Sequence, residues 1–403
     1  MLFLSHRIPY PPNKGDKIRS WHILRHLSEH YRVLLGCFID DPADWQFASV
    51  LRERCAECCF VPLKPAFAKW RSLRGFVTGA PLTLPYYRDG RLFAWVKEVA
   101  ARRKPKHLFI YCSAMAQYSE AAEGATMRSI IDFVDVDSDK WRQYALRSRW
   151  PLDWVYRREH QALLRAEREA ALRFDTSLLA SDAEAALFRQ LVPEAAHKIV
   201  ALSNGVDCDF FSPDHALPNP YEDSRNIAVF TGAMDYRANI DAVLYFADDV
   251  LPHVRRDIPD VVFYIVGSRP TRQVLELGRR EGIVVTGGVS DVRPYLAHAK
   301  IAVAPLRIAR GIQNKVLEAM AMARPVAVTE QALEGIKAEV GKEVLLATTT
   351  GQFIDIVSRA MIGAGYDWVG KFARQRMLSD FDWRANLARL DKALANRPIS
   401  SAA

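Results

Sequence analysis

The sequence predicts an α/β protein built as two doubly wound domains facing a cleft, and three observations carry that expectation. Short β-rich runs alternate with helix-forming runs along nearly the whole chain, the order that yields parallel sheets with right-handed crossovers. At 403 residues the chain is too long for one ordinary hydrophobic core. A stretch rich in Pro, Asp and Ser without apolar periodicity, Cys208 to Ser224, separates two such series. The expected division is 1–207 for an amino-terminal domain, 208–224 for a linker and 225–379 for a carboxy-terminal domain. A last helix over about 380–403 is placed to pack back on the first domain.

In the first series LFLSHR reads as a strand, followed by a Pro-rich loop and a helix from about Asp16 to Glu29 with Ile18, Trp21, Leu24 and Leu27 on one face. The strand RVLLGCFI comes next, then HLFIYC, SIIDFV, TSLLAS and KIVAL, the last leading into the turn SNGVD. Between Ser138 and Arg173 lies a segment rich in Trp, Arg, Tyr and Leu, broken at Pro151 and helical after it. Two readings fit its latter part: a solvated amphipathic helix, or a surface that rests on anionic lipid or grips a lipid-linked acceptor.

The second series runs NIAVFTGA, a helix from about Asn239, VVFYIVG, a helix after Pro270, GIVVTGGV and a helix from Asp291. IAVAPL, a helix over Ile312 to Ala323, PVAVT and EVLLAT complete it. Ligands of such sheets bind beyond the carboxyl ends of the strands. Gly15, Asp135, Gly232, Gly267 and the 307–318 region all follow strands.

Half of the residues are apolar and a quarter charged, as in an ordinary globular protein, and the formal charge is +8. That balance suits anionic ligands or an anionic membrane surface and does not call for nucleic acid. There is no basic segment followed by a long apolar one, and no apolar run of about 18 residues, so a cytoplasmic protein is expected, with peripheral attachment to the inner membrane face as an option. The cysteines at 37, 55, 58, 59, 112 and 208 fit reduced thiols; the CxxCC cluster lacks further ligands, and no metal or cofactor is expected. A dinucleotide fingerprint is absent, since the first loop, NKGDKIRS, holds one glycine.

The most telling stretch is Ile301 to Thr329. At about 100° per residue, Val316, Leu317, Ala319, Met320 and Ala323 cover most of its helix, and Asn314, Lys315 and Glu318 share one narrow sector. The helix is expected to begin just after Gly311, so that its free N–H groups meet an anion, with Lys315 adding charge and Glu318 accepting from sugar hydroxyls. Together they suit a phosphate attached to a sugar. The competing reading is an ordinary Lys315–Glu318 surface pair at i,i+3.

DFVDVDSDKW places Asp135 and Asp137 beyond a strand, where a base takes the proton of an acceptor hydroxyl. In extended chain their spacing points both to one side. Equally, Asp139 can cap the following helix and the aspartates can satisfy loop backbone. His6 and His107 read as structural.

The order SNGVDCDFFSP, FTGAMDYRANIDAV, YIVGSRP, VTGGVSDVRPYLAHAKIAVAPL and GIQNKVLEAMAMARPVAV resembles the GT-B glycosyltransferases, close to the family 4 type. It is most similar to the sugar transferases associated with bacterial exopolysaccharide and exosortase-type gene systems. The resemblance implies a nucleotide-sugar donor, a glycan or lipid-linked acceptor and no catalytic metal. It implies Glu318 as ribose ligand, Lys315 as diphosphate ligand, Gly15 as a close-approach glycine and Val289 near the base, with Gly232, Arg307, Gly311 and Asn314 also lining the donor site. Two positions depart from the pattern. Arg310 stands where the family has a first glutamate, and the loop GAMDYRAN offers only Arg237 in place of a basic pair. Lys315 with Arg307 or Arg310 would supply the missing charge. A nucleotide-sugar epimerase of the same fold and a non-catalytic partner of a polysaccharide machine are the alternatives.

Overall fold

The computed structural model describes residues 1–12, 15–122, 127–146, 148–221, 226–309, 311–363 and 365–395. They form two compact units, Met1–Ser203 together with the chain from Leu387, and Asn204–Asn386.

In the first unit, β1 (Leu2–Ser5), β2 (Leu34–Ile39), β3 (Glu57–Pro62), β4 (His107–Tyr111), β5 (Arg128–Val134), β6 (Thr176–Leu179) and β7 (Ile199–Ala201) form one sheet. Its order is β3-β2-β1-β4-β5-β6-β7, with every pairing parallel. Parallel strands are covered on both faces, and accordingly β1 and β2 are buried throughout as continuous apolar runs. Winding reverses between β1 and β4, so the crevice at their carboxyl ends is the switch point of this sheet.

The second unit has β8 (Asn226–Thr231), β9 (Val261–Val266), β10 (Ile283–Gly287), β11 (Ile301–Ala304), β12 (Val326–Val328) and β13 (Leu345–Leu346). Their order is β10-β9-β8-β11-β12-β13, again all parallel, and the switch point lies between β8 and β11. Phe230, Phe246, Phe263, Leu317 and Met320 sit in its core, with the Phe246 and Phe263 rings 4.4 Å apart.

Several expectations need correction. Strand β3, which carries Cys58 and Cys59, was not anticipated: among the described residues it is an edge strand, paired with β2 and half-buried, so its apolar signal is diluted. The first helix, Gly15–His30, buries Trp21, Leu24 and Leu27 as expected, yet Ile18 is only half-buried and Lys17, Arg19, Ser20 and His22 go inside. Buried charge is tolerated there because it is paired. Arg19 Nε and Nη2 fork onto Asp132 of β5 at 2.8 and 3.1 Å, Nη1 donates to the Leu202 carbonyl at 2.7 Å, and Lys17 Nζ meets Asp44 at 2.6 Å.

The stretch read as a linker is built into the second unit: Cys208 and Tyr221 are buried in its core, and the Tyr221 hydroxyl donates to the Tyr295 carbonyl at 2.6 Å. The division between units falls at Ser203 and again at Asn386, within the helix Trp383–Ala395. In its later part, Asp391 accepts from His26 at 2.8 Å and the Ala393 carbonyl from Arg128 at 2.8 Å.

Candidate functional site

At the switch point of the second unit three strand ends converge through backbone. Gly232 N–H donates to Val266 O at 3.0 Å, Met234 N–H to Ser268 O at 2.8 Å and Gly267 N–H to Gly287 O at 3.1 Å, which ties the loops after β8, β9 and β10 together. Glycine is required at both contact points. Gly232 has φ +153°, and a Cβ on Gly267 would stand 1.7 Å from the Gly232 carbonyl oxygen.

The helix Asn314–Ala321 enters this crevice after β11. It starts at Asn314, behind an extended Gln313, and not directly after Gly311; Gly311 has φ +68° and its carbonyl accepts from the Gln313 side chain at 3.0 Å, making a turn of residues 311–313. Val316, Leu317, Ala319, Met320 and Ala321 are buried, while Ala323 lies past the end with φ +53°. Asn314, Lys315 and Glu318 form the half-buried polar sector expected from their spacing.

Lys315 does not form the surface pair with Glu318. Its Nζ donates to Asn239 Oδ1 at 3.0 Å and lies 5.2 Å from the centroid of the Phe230 ring. Asn239 is buried on the helix Arg237–Tyr245, and its Nδ2 donates to the Ala233 carbonyl at 2.8 Å, which orients Oδ1 toward the lysine. A Cβ at position 232 would meet Asn239 Nδ2 at 2.8 Å and Lys315 Cε at 3.3 Å, so the glycine leaves room for both.

Burial pushes the Lys315 ammonium down to about 8, with the Glu318 charge pulling it partly back up. Burial likewise pushes the Glu318 carboxyl up to about 7, against the pull of Lys315. A negative charge placed beside such a lysine would draw its pKa back up. Among the described residues, Asn314 Oδ1 is buried without a hydrogen-bond partner.

Of the other residues expected here, Arg307 is committed to Asp241, with contacts of 2.6 and 3.0 Å, and lies over the Tyr245 ring. Val289, in the loop after β10, packs half-buried on the core of the unit. Arg310 lies outside the described residues.

In the first unit Gly15 is the exposed first residue of its helix. Asp135 and Asp137 do not share an extended segment. Val134 takes φ +70°, a strained conformation for a β-branched residue, where the register of β5 against β6 shifts; Asp135 then falls in a bend and Asp137 opens the helix Asp137–Leu146. Asp139 does not cap that helix; it lies inside it, accepting from Arg142 at 2.6 Å and Gln143 at 2.9 Å. The helix start is held from outside: Glu184 accepts from Val136 N–H at 2.7 Å and Glu167 from Ser138 N–H at 3.2 Å. Burial pushes the Glu167 carboxyl up to about 8.

Sequence reasoning passed over a charged cluster at the β1/β4 switch point. His6 follows β1, and its Nε2 lies 3.5 Å from Asp16, which also pairs with Arg7 at 2.9 Å. The ring stacks on Tyr111 at 5.7 Å, and Cys112, with φ +80°, adjoins it. Burial alone would lower the His6 imidazole, but Cys112 and Asp16 outweigh it and raise the group to about 10. Asp16 is held well below the usual carboxylate range: His6 and Arg7 overcome the effect of burial. The sequence signal was an acidic residue at the first turn of a helix following a His-Arg pair at a strand end. Asn239 carried a similar signal, a buried amide inside the apolar run ANIDAV.

Two doubly wound parallel sheets, each with its polar cluster at the switch point, define the GT-B fold of the glycosyltransferases. Within the second unit, residues 225–361 match the family model described as glycosyl transferases group 1. The chain is similar over almost all of its length to solved structures of that fold. Against Anabaena Alr3699/HepE in complex with UDP the identity is 15%, the coverage 98% of this chain and 99% of the other, and the TM-score 0.66. For the sucrose-phosphate synthase of Thermosynechococcus elongatus these values are 16%, 97%, 98% and 0.67. For WaaG, a glycosyltransferase involved in lipopolysaccharide biosynthesis, they are 15%, 98%, 100% and 0.68. No curated protein sequence matches the chain.

Proposed function

We propose that the protein transfers a glycosyl group from a nucleoside-diphosphate sugar to a glycan or lipid-linked acceptor, in the assembly of an exopolysaccharide or glycolipid. The observation that carries this reading is the Lys315–Asn239 pair beside Gly232, with Glu318 one turn further along the helix. Lys315 and the N–H groups at the helix start take the diphosphate, and Glu318 takes the ribose hydroxyls. In the reaction the bond from the anomeric carbon to the diphosphate breaks, a bond to the acceptor oxygen forms, and the acceptor proton passes to a base. Lys315 stabilises the charge that develops on the departing diphosphate, without a metal in that role. Asp135 or Asp137 is the proposed base; His6, beside Asp16, is the alternative source of positive charge and not the base.

The HepE structures hold UDP, UDP with glucose, and UDP-glucose, which makes uridine nucleotides the first donors to try. Ligand at 100 times its dissociation constant adds about 2.7 kcal/mol of stability, an effect visible as a thermal shift. A panel of uridine, guanosine, adenosine and thymidine diphosphates and their sugars is expected to give one clear stabiliser. No shift with any of them would reject the donor site. Product analysis with and without acceptor separates transfer from epimerisation.

Membrane attachment is part of the same proposal. Among the described residues no helix is long and apolar enough to cross a membrane. In the first unit, however, Phe67, Trp70 and Val77 project from the helices Pro65–Ser72 and Arg74–Thr78, and Trp150 and Trp154 from the region around the start of the helix Leu152–Arg173. Phe76 and Trp154 stack at 6.4 Å, joining the two segments into one apolar patch. Lys64, Lys69, Arg74 and Arg149 are exposed in the same segments. Arg71 is not available to lipid, because it donates to the Pro85 and Tyr86 carbonyls at 2.7 and 2.6 Å.

A further inference from the structure

We infer that the carboxyl end of the helix Gly15–His30 is a binding site for a divalent transition cation of the zinc type, formed by His26, Glu29 and His30 and oriented by Asp391. The sequence HLSEH puts two imidazoles at i,i+4 and a carboxylate at i+3, so all three leave the helix on one side. In the structure one ligand atom from each lies within 4.8 Å of the others, and the two imidazole centroids are 5.2 Å apart.

The surroundings favour a cation on two further counts. Glu29 and His30 lie in the last turn of a 16-residue helix, where the dipole is negative, and His26 one turn before them. Asp391, from the helix Trp383–Ala395, lies 2.8 Å from His26 Nε2. An ionised carboxylate only accepts, so in the neutral ring the proton sits on Nε2 and Nδ1 keeps its lone pair for a metal. That is the carboxylate–histidine arrangement that fixes ring orientation and raises ligand basicity in metal sites.

Two imidazoles and one carboxylate are borderline donors that suit Zn²⁺, Co²⁺ or Ni²⁺ rather than Ca²⁺ or Mg²⁺, with water completing the shell. With both carboxylates ionised and both histidines neutral, the four residues carry two negative charges, which one divalent ion balances. Through Asp391 the ion would fasten the carboxy-terminal helix to the first helix of the same unit. The role is structural and distinct from the donor chemistry, since none of these residues belongs to either switch-point cluster.

The test is titration of the metal-free full-length protein with Zn²⁺ by calorimetry, and with Co²⁺ by its visible absorption. Saturable binding of one equivalent is expected, with d–d bands typical of nitrogen and oxygen ligands. His30 is exposed, so His30→Ala should keep the circular dichroism of the parent while losing about tenfold or more in affinity. Asp391→Asn keeps all three ligands and should weaken binding about 10- to 100-fold. Absence of saturable binding, or His30→Ala binding as tightly as the parent, would overturn the assignment.

Discussion

Lys315 Nζ stands 3.0 Å from Asn239 Oδ1, so the one ammonium on the apolar helix Asn314–Ala321 is aimed by a buried amide and not by the carboxylate one turn away. Asn239 is itself fixed by Ala233, and Gly232 clears the space. The lysine is thereby held at the end of β8, where doubly wound sheets bind their ligands.

Loss of Lys315 or Glu318 should therefore weaken the donor complex while the fold persists. Removing a charge-assisted hydrogen bond costs roughly 1.5 to 3 kcal/mol, so Lys315→Ala and Glu318→Ala are each expected to lose about 10- to 150-fold in donor affinity by calorimetry. Asn239→Ala should weaken binding less, by freeing the lysine. The free-enzyme groups also fix the pH profile: kcat/KM should fall below about 7 as Glu318 protonates and above about 8 as Lys315 loses its charge. Lys315→Arg should abolish the alkaline limb.

The same residues should cost stability. Glu318 has a folded-state pKa raised above the unfolded value, so its favourable contribution is complete below about 4.5 and is lost as pH rises through about 7. Above pH 7 the ionised carboxylate is a burden on the fold. Glu318→Gln is therefore expected to raise the stability at pH 8 by about 1 kcal/mol or more, seen as a higher Tm, while donor affinity falls. A drop in Tm would mean the carboxylate serves the fold instead.

Arg19 and Asp132 form the opposite case, a charge pair fully inside the first unit. Breaking one partner leaves an unpaired buried charge, and Asp132→Ala should cost about 3 to 5 kcal/mol in urea unfolding. Arg19→Met combined with Asp132→Leu should recover much of that loss, because a buried pair can often be replaced by apolar residues of like volume. A double variant as unstable as the single would show that the Leu202 carbonyl, not the ion pair, is what Arg19 serves.

What was legible in advance followed the strength of the apolar signal. Strands such as LFLS and VVFYIV are buried on both faces and read as continuous apolar runs, and the sector Asn314, Lys315, Glu318 stood out because everything around it was apolar. The edge strand β3 gave too weak a pattern. The burial of Arg19 and Lys17 had no local signal, because their partners, Asp132 and Asp44, come from distant positions in the chain. The strained turns at Cys112 and Val134, both non-glycine residues with positive φ, have no local signature; there, tertiary contacts override backbone preference.

On the acceptor side, Asp135→Asn or Asp137→Asn should lower turnover on the order of 10²-fold with little change in donor affinity, since a base acts only in the transition state. Turnover measured with saturating acceptor decides which of the two acts. Equal rates in both variants would move the base to another group of the first unit.

Attachment to anionic membranes should depend on the aromatic patch as much as on charge. Trp150 is 83% exposed and Phe67 72%, values that leave large apolar rings in water unless something covers them. Each exposed basic residue near an anionic surface contributes about 1 kcal/mol, so Lys64, Lys69, Arg74 and Arg149 suffice for reversible binding, and inserted rings add to it. The protein is expected to float with anionic vesicles at low salt, to be released at high salt, and to stay behind with neutral ones. Trp70→Ser combined with Trp150→Ser should reduce flotation without changing donor affinity, because both side chains lie on the first unit and donor binding is assigned to the second. If the parent fails to float with anionic vesicles at low salt, the patch has another partner and the membrane reading falls.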